Sequence, residues 1–186
     1  MNSDTKKTTL LRLGLFFQDC LNRFEDTESD TVNIDLRNEV NLAVDLITTG
    51  YRDNGWFTKD SVLGVYTAWA NALNETNIDQ WLQGYDFSTG KSKKVGVIMA
   101  GNLPLVGLHD ALSVIISGHV LHAKLSSKDK SLMLLQSVRW SSRRHMTCEM
   151  LSSTHHQKTL RHLSCTWDLK ILWRVFLPSL CMSMWK

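Results

Sequence analysis

Residues 95–129 read VGVIMAGNLPLVGLHDALSVIISGHVLHAKLSSKD, and this stretch decides the fold class. Residues 95–100 are a short, almost wholly apolar run after the basic linker 91–94, the pattern of a parallel strand covered on both faces. Gly101 and Asn102 end the run. Glycine permits a positive φ or the close approach of a ligand, and Asn102 has the side chain of a helix N-cap. Pro104 suits the first turn of that helix. From Leu105 to Ser117 apolar residues nearly surround the predicted helix, interrupted by His109, Asp110 and Ser113, so the helix should pack on a sheet. Gly118 is placed as its C-cap and residues 120–125 as a second strand. A crossover of this size joins parallel strands in a right-handed sense, and the class expected is α/β.

A loop at the carboxyl end of a parallel strand, feeding a helix N-terminus, is where open α/β sheets bind ligands. Free amides and the helix dipole favour negative charge there, which suits a phosphate or an oxyanion. The Gly-x-Gly-x-x-Gly dinucleotide fingerprint is absent, and an Asn in a Gly-Asn-x-Pro turn also serves as an ordinary helix cap.

The same stretch resembles the acyl-CoA reductases related to the fatty-acid reductase of bacterial bioluminescence, the LuxC-like branch of the aldehyde dehydrogenase superfamily. Upstream, NGWF at 54–57, the helix carrying Trp69 and WLQGY at 81–85 resemble the amino-terminal helical region of compact bacterial members. The resemblance covers about residues 8–136. It implies amino-terminal helices followed by the start of a Rossmann-like cofactor-binding domain of the aldehyde dehydrogenase type, incomplete here. The reaction implied is reduction of a fatty acyl-CoA to its aldehyde. A cysteine thiolate attacks the thioester to give an acyl-enzyme, and hydride from NADPH then releases the aldehyde.

Site residues follow from the resemblance only where positions match. Asn102 stands where the superfamily's Asn donates its side-chain amide to the oxyanion, a role typically worth ~2.7–4 kcal/mol of transition-state stabilisation. Gly101 precedes it in the same cofactor-side turn. Lys124 matches the Lys at the end of the next strand, which contacts the adenosine ribose or its 2′-phosphate. Ser126 matches the Ser of the Lys-Pro-Ser-Glu pattern, and Ser127 stands where NAD-preferring members often carry Glu. Without that carboxylate a 2′-phosphate meets no repulsion, and Lys128 could attract it, so NADPH is the expected cofactor. The plainer reading of Lys124 and residues 126–128 is a solvated strand end followed by a helix cap.

The chain changes character near residue 137. Residues 1–136 carry 13 Lys+Arg and 16 Asp+Glu, a net charge of −3, whereas residues 137–186 carry 8 and 2, a net charge of +6. All ten glycines precede residue 119, and three of the four cysteines and four of the seven tryptophans lie in the last fifty residues. No sustained period there continues an α/β sheet. The expected organisation is a helical region over 1–90, the start of an NADP-binding α/β domain over 91–136, and an aberrant basic tail over 137–186. A shift of reading frame near residues 132–137 would account for the tail, with a divergent genuine tail as the alternative. On the first reading the chain is a fragment without the catalytic half and without activity. The alternative function is a nonenzymatic binding or assembly fragment that pairs with a reductase subunit or forms a homo-oligomer.

The tail supplies no site of its own. Cys148, His155, His156, His162 and Cys165 have no recognised zinc-finger spacing, so no metal is expected. Arg139, Arg143, Arg144, Arg161 and Arg174, with Trp140 and Trp167 among them, favour at most nonspecific, salt-sensitive contact with nucleic acid. Cys148, Cys165 and Cys181 lack the context of a nucleophile, and Cys20 reads as a small buried apolar residue. No disulfide framework, no membrane-spanning run of about 20 apolar residues and no secretory signal is evident, which fits a cytoplasmic protein.

Upstream, residues 8–25, 32–51 and 59–73 read as amphipathic helices. Asp30 or Thr31 and Thr58 are their candidate N-caps, and Gly50 and Gly84 the candidate stops. The first is apolar on too many sides for a single narrow stripe and should pack on more than one neighbour. The aromatics Trp56, Phe57, Tyr66, Trp69, Trp81, Tyr85 and Phe87 fit a domain core better than an acyl-chain site.

Overall fold

The structure is a computed structural model and describes residues 3–26, 37–52, 54–87, 91–133 and, for the backbone, 148–150. The candidate caps Asp30 and Thr31 lie outside the described residues. So do the candidate zinc ligands and tail arginines, together with Cys165 and Cys181 and the side chain of Cys148. The described residues divide into two compact units, one ending at Tyr85 and the other beginning at Asp86.

The first unit is helical: α1 (Ser3–Phe24), α2 (Arg37–Thr49), a 3-10 turn (Gly50–Arg52), α3 (Lys59–Ala72) and α4 (Glu75–Leu82). α1 packs against α2, α3 and α4, as its broad apolar surface requires. It begins five residues before the expected start, because Asp4 in the first turn complements the helix dipole although the apolar pattern starts only at Leu10. Phe17 is fully buried and sits edge-on to Tyr66 at 5.0 Å and stacked with Trp69 at 6.4 Å, both from α3. Phe57 and Trp81 are buried with them, so four of the seven aromatics fill the core, whereas Trp56 is 78% exposed and Tyr85 is also exposed. Cys20 is buried and free.

Gly14 sits in mid-α1, where alanine is intrinsically the better helix former. A Cβ there would lie 2.6 Å from the Leu73 carbonyl oxygen and 2.9 Å from Leu73 Cβ, so glycine is what allows α1 and the end of α3 to approach. Thr58 caps α3, its hydroxyl accepting from the Ser61 N–H at 3.2 Å. In the NGWF turn the Asn54 carbonyl accepts from the Phe57 N–H at 2.8 Å and its side-chain oxygen from the Trp56 N–H at 3.1 Å. α4 was not evident from the periodicity of so short a segment; Asn74 starts it, accepting from the Asn77 N–H at 2.9 Å.

The second unit contains β1 (Lys94–Ile98), α5 (Leu108–Ile116), β2 (Val120–Lys124) and β3 (Cys148–Met150) in a sheet of order β1-β2-β3. Both pairings are parallel, with Lys94 opposite Val120, Ile98 opposite Lys124 and Leu121 opposite Cys148. β3 falls where no strand was expected. Three residues suffice to pair with β2 because the ladder is made by backbone groups, which the side-chain period does not record.

Two further expectations are corrected. β1 is not buried on both faces: its central residues are half-buried and Ile98 is 67% exposed, because β1 is the edge strand of the described sheet. The helix does not start at Pro104 or Leu105. Residues 102–107 form a turn-rich loop, and α5 begins at Leu108 after Gly107, which makes no side-chain cap. Asn102 is therefore not the helix cap. The far end agrees with the sequence reading. Gly118 takes φ +83°, its N–H reaches the Ile115 carbonyl at 3.0 Å, and the His119 N–H reaches Val114 at 3.2 Å, the paired bonds of a Schellman stop. α5 packs on β1 and β2, burying Leu108, Ala111, Leu112, Val114, Ile115 and Ile116.

Candidate functional site at the strand ends

Parallel register puts the carboxyl ends of β1 and β2 side by side. Beyond the Ile98–Lys124 pair, the Met99 N–H still reaches the Lys124 carbonyl at 3.0 Å. The turn after β1 and the turn after β2 are thereby held against each other.

Gly101 is buried at their junction. A Cβ built there would lie 2.0 Å from Ser126 Oγ, 2.5 Å from Ser126 Cβ and 3.2 Å from Lys128 Cβ. Close approach of the two turns thus depends on glycine, for a packing reason rather than a dihedral one. Ser126 is half-buried and its hydroxyl accepts from the Lys128 N–H at 3.2 Å, which closes the second turn locally.

Of the five residues singled out by sequence, Gly101 and Ser126 are in direct juxtaposition. Lys124 is half-buried at the end of β2, and Asn102 and Ser127 are exposed on the two turns. The free amides of the α5 N-terminus do not start at Asn102, since the intervening loop places the helix six residues further along. An anion at this end of the sheet would meet loop amides and lysine ammonium groups before the helix dipole.

Asp129 was not singled out in the sequence, where Lys128-Asp129-Lys130 reads as a solvated charge run. Its side chain is buried, with 2% of the residue exposed. Neither carboxylate oxygen has a hydrogen-bond partner. Burial pushes its pKa up to about 7, opposed in part by the Leu105 backbone N–H, which bears on the carboxylate without completing a bond. The residue precedes a helical turn, its own carbonyl accepting from the Met133 N–H at 3.2 Å. The sequence carries no signal of this burial: the Ser-x-x-Asp spacing from Ser126 is not a capping box here, since the Ser126 hydroxyl accepts from the Lys128 N–H and the Asp129 carboxyl returns no bond.

Leu105 is the strained element of the loop: it is 1% exposed and adopts φ +54°. Leucine rarely takes this left-handed conformation. Its carbonyl accepts from the Leu108 N–H at 3.0 Å as α5 begins.

No protein-family model, curated protein or solved structure matches the chain. Among the described residues no cluster of His, Cys, Asp and Glu is arranged to hold a metal ion. None of the described helices is long and apolar enough to cross a membrane.

Proposed function

We propose that the unit beginning at Asp86 is the cofactor-side part of an NADPH-dependent reductase of fatty acyl-CoA, of the LuxC-like type in the aldehyde dehydrogenase superfamily. The observation that carries this reading is the packing of Gly101 on Ser126, which fixes two strand-end turns together and leaves Asn102 and Ser127 open to solvent. Lys124, Ser126 and Ser127 would hold the adenosine end of NADPH, with Gly101 allowing close approach. Lys124 and Lys128 favour a 2′-phosphate, and Ser127 offers hydroxyl donors where a carboxylate would repel it. Asn102 would donate its amide to the oxyanion of the thioester carbonyl. When bound, NADPH supplies the hydride that releases the aldehyde. Cys20 is buried in the helical unit and is not the nucleophile, so this reading assigns cofactor binding and oxyanion stabilisation to the described residues and no turnover.

Fluorescence titration of the full chain with NADPH and NADH tests the reading. NADPH should bind more tightly, and Ser127→Glu should weaken NADPH by roughly tenfold or more, about 1.4 kcal/mol, while sparing NADH. Equal affinities in the wild type, or a preference unmoved by Ser127→Glu, would overturn it.

A second reading has one observation in its favour. Ile98, Leu103 and Val106 expose apolar surface at the same end of the sheet, which suits a fragment that pairs with a reductase subunit or with its own copy. Sedimentation of the purified chain tests this: a discrete dimer or a stable heteromer supports it, and a monomer argues against it.

A further inference from the structure

The buried carboxyl of Asp129 faces the loop from which Asn102 projects, and no charged neighbour accounts for it. The ionisable groups on the elements around it are Lys94 on β1, His109 and Asp110 on α5, His122 and Lys124 on β2, and Lys128 and Lys130 on its own turn. None forms an ion pair with Asp129 among the described residues; His109 instead lies 3.7 Å from Asp110. The one polar group acting on the carboxyl is the backbone N–H of Leu105, the residue held at φ +54°.

We propose that Asp129 is a positioning residue: its neutral carboxyl, buried against Leu105, keeps the 102–107 loop closed, and loss of its proton favours an open loop. A neutral carboxyl tolerates this dry position, whereas a carboxylate with a single incomplete donor does not. Opening the loop to water returns the group to its ordinary acidity, so opening releases a proton. The sign follows from linkage. Opening is unaffected by pH below the ordinary carboxyl range, grows about tenfold per pH unit above it, and levels off once the closed state has also ionised, near pH 7. A histidine forced to charge would weaken the loop toward acid, the opposite direction.

Where the loop carries Asn102, this rests on the cofactor-site reading above, but the switch itself needs no cofactor and is measured without one. Hydrogen exchange of the full chain, corrected for the intrinsic pH dependence of exchange, gives the opening equilibrium of the 102–108 amides between pH 4.5 and 8.5. Protection should fall by roughly 50-fold between pH 5 and 7 and stay nearly level above pH 7.5. The Val120 amide, which bonds to the Lys93 carbonyl at 2.8 Å, should not follow the same curve. Asp129→Asn keeps size and neutrality and should abolish the slope while holding protection at every pH above that of the wild type at pH 5. Asp129→Ala should also flatten the curve, at low protection. A flat wild-type profile, a slope that survives in Asp129→Asn, or a slope shared by Val120 would overturn the proposal. Failure of NADPH to bind would leave these curves unchanged, so the two ideas fail separately.

Discussion

Replacing Gly101 by alanine tests whether the two strand-end turns are locked by steric fit. The new Cβ would lie 2.0 Å from Ser126 Oγ and 2.5 Å from Ser126 Cβ, against an ordinary carbon contact of about 3.5–4.0 Å. Rotating the hydroxyl away would relieve the first contact at the cost of the 3.2 Å bond from the Lys128 N–H, and would leave the second untouched. The backbone of one turn must therefore shift by about 1 Å, an overpacking cost of roughly 1–3 kcal/mol. The assay is hydrogen exchange at Met99, whose amide bonds to the Lys124 carbonyl at 3.0 Å across the carboxyl ends of the two strands. Its protection should drop by roughly 5- to 150-fold. Ser126→Gly removes both offending atoms and leaves Lys128 Cβ at 3.2 Å. On that background the cost of Gly101→Ala should shrink below about 0.5 kcal/mol, making the pair strongly coupled. An equal cost on both backgrounds would refute the steric lock.

Gly14→Ala in α1 should destabilise the helical unit by roughly 1–3 kcal/mol in urea unfolding, outweighing the ~1 kcal/mol that alanine gains in helix propensity, because the 2.6 Å contact is with the Leu73 backbone oxygen. A stabilised variant would mean that α1 and α3 can separate freely. Thr58→Ala should cost about 0.5–2 kcal/mol by removing the acceptor for the Ser61 N–H, with the loss of protection concentrated in the first turn of α3; Thr58→Asp should restore most of it.

What the sequence disclosed was local in origin. The Thr58 cap, the Gly118 stop, the two strands and the burial of Cys20 each follow from bonds within a few residues or from a side-chain period. The departures come from contacts that no window of sequence contains. The apolar run Leu105 to Gly107 is compatible with helix, yet Leu105 lies in the left-handed region and α5 waits until Leu108. Ile98 looked like core and is exposed because β1 is an edge. Trp56 and Phe57 are adjacent in the NGWF turn, but the Asn54-centred bonds bury one and turn the other to solvent. At the candidate site, Gly101 and Ser126 were singled out through a resemblance, whereas the contact between them is a tertiary one that no window of sequence contains. Asp129 was not, since its flanking lysines disguise a carboxyl that only tertiary packing buries.

The two strand-end turns bear two avoidable costs between them, one in each, and such costs are a physical reason to look for function there. A left-handed leucine costs roughly 1–2 kcal/mol relative to an ordinary conformation, and glycine at Leu105 would remove that strain. An aspartate buried without a hydrogen-bond partner costs more, and an asparagine or alanine would avoid the charge. Neither device is needed to start the helix, because α5 begins without a side-chain cap and connections of this length form readily with ordinary turn residues. Strain of this kind persists only where its surroundings over-determine it. Here the surroundings are the Gly101–Ser126 lock on one side and the buried face of α5 on the other, and between them they hold the peptide that presents Asn102. A loop kept in place by a proton rather than by a bond can change its opening equilibrium without disturbing the parallel pairs beneath it, and that separation is what exchange at Leu108 and Val120 would measure.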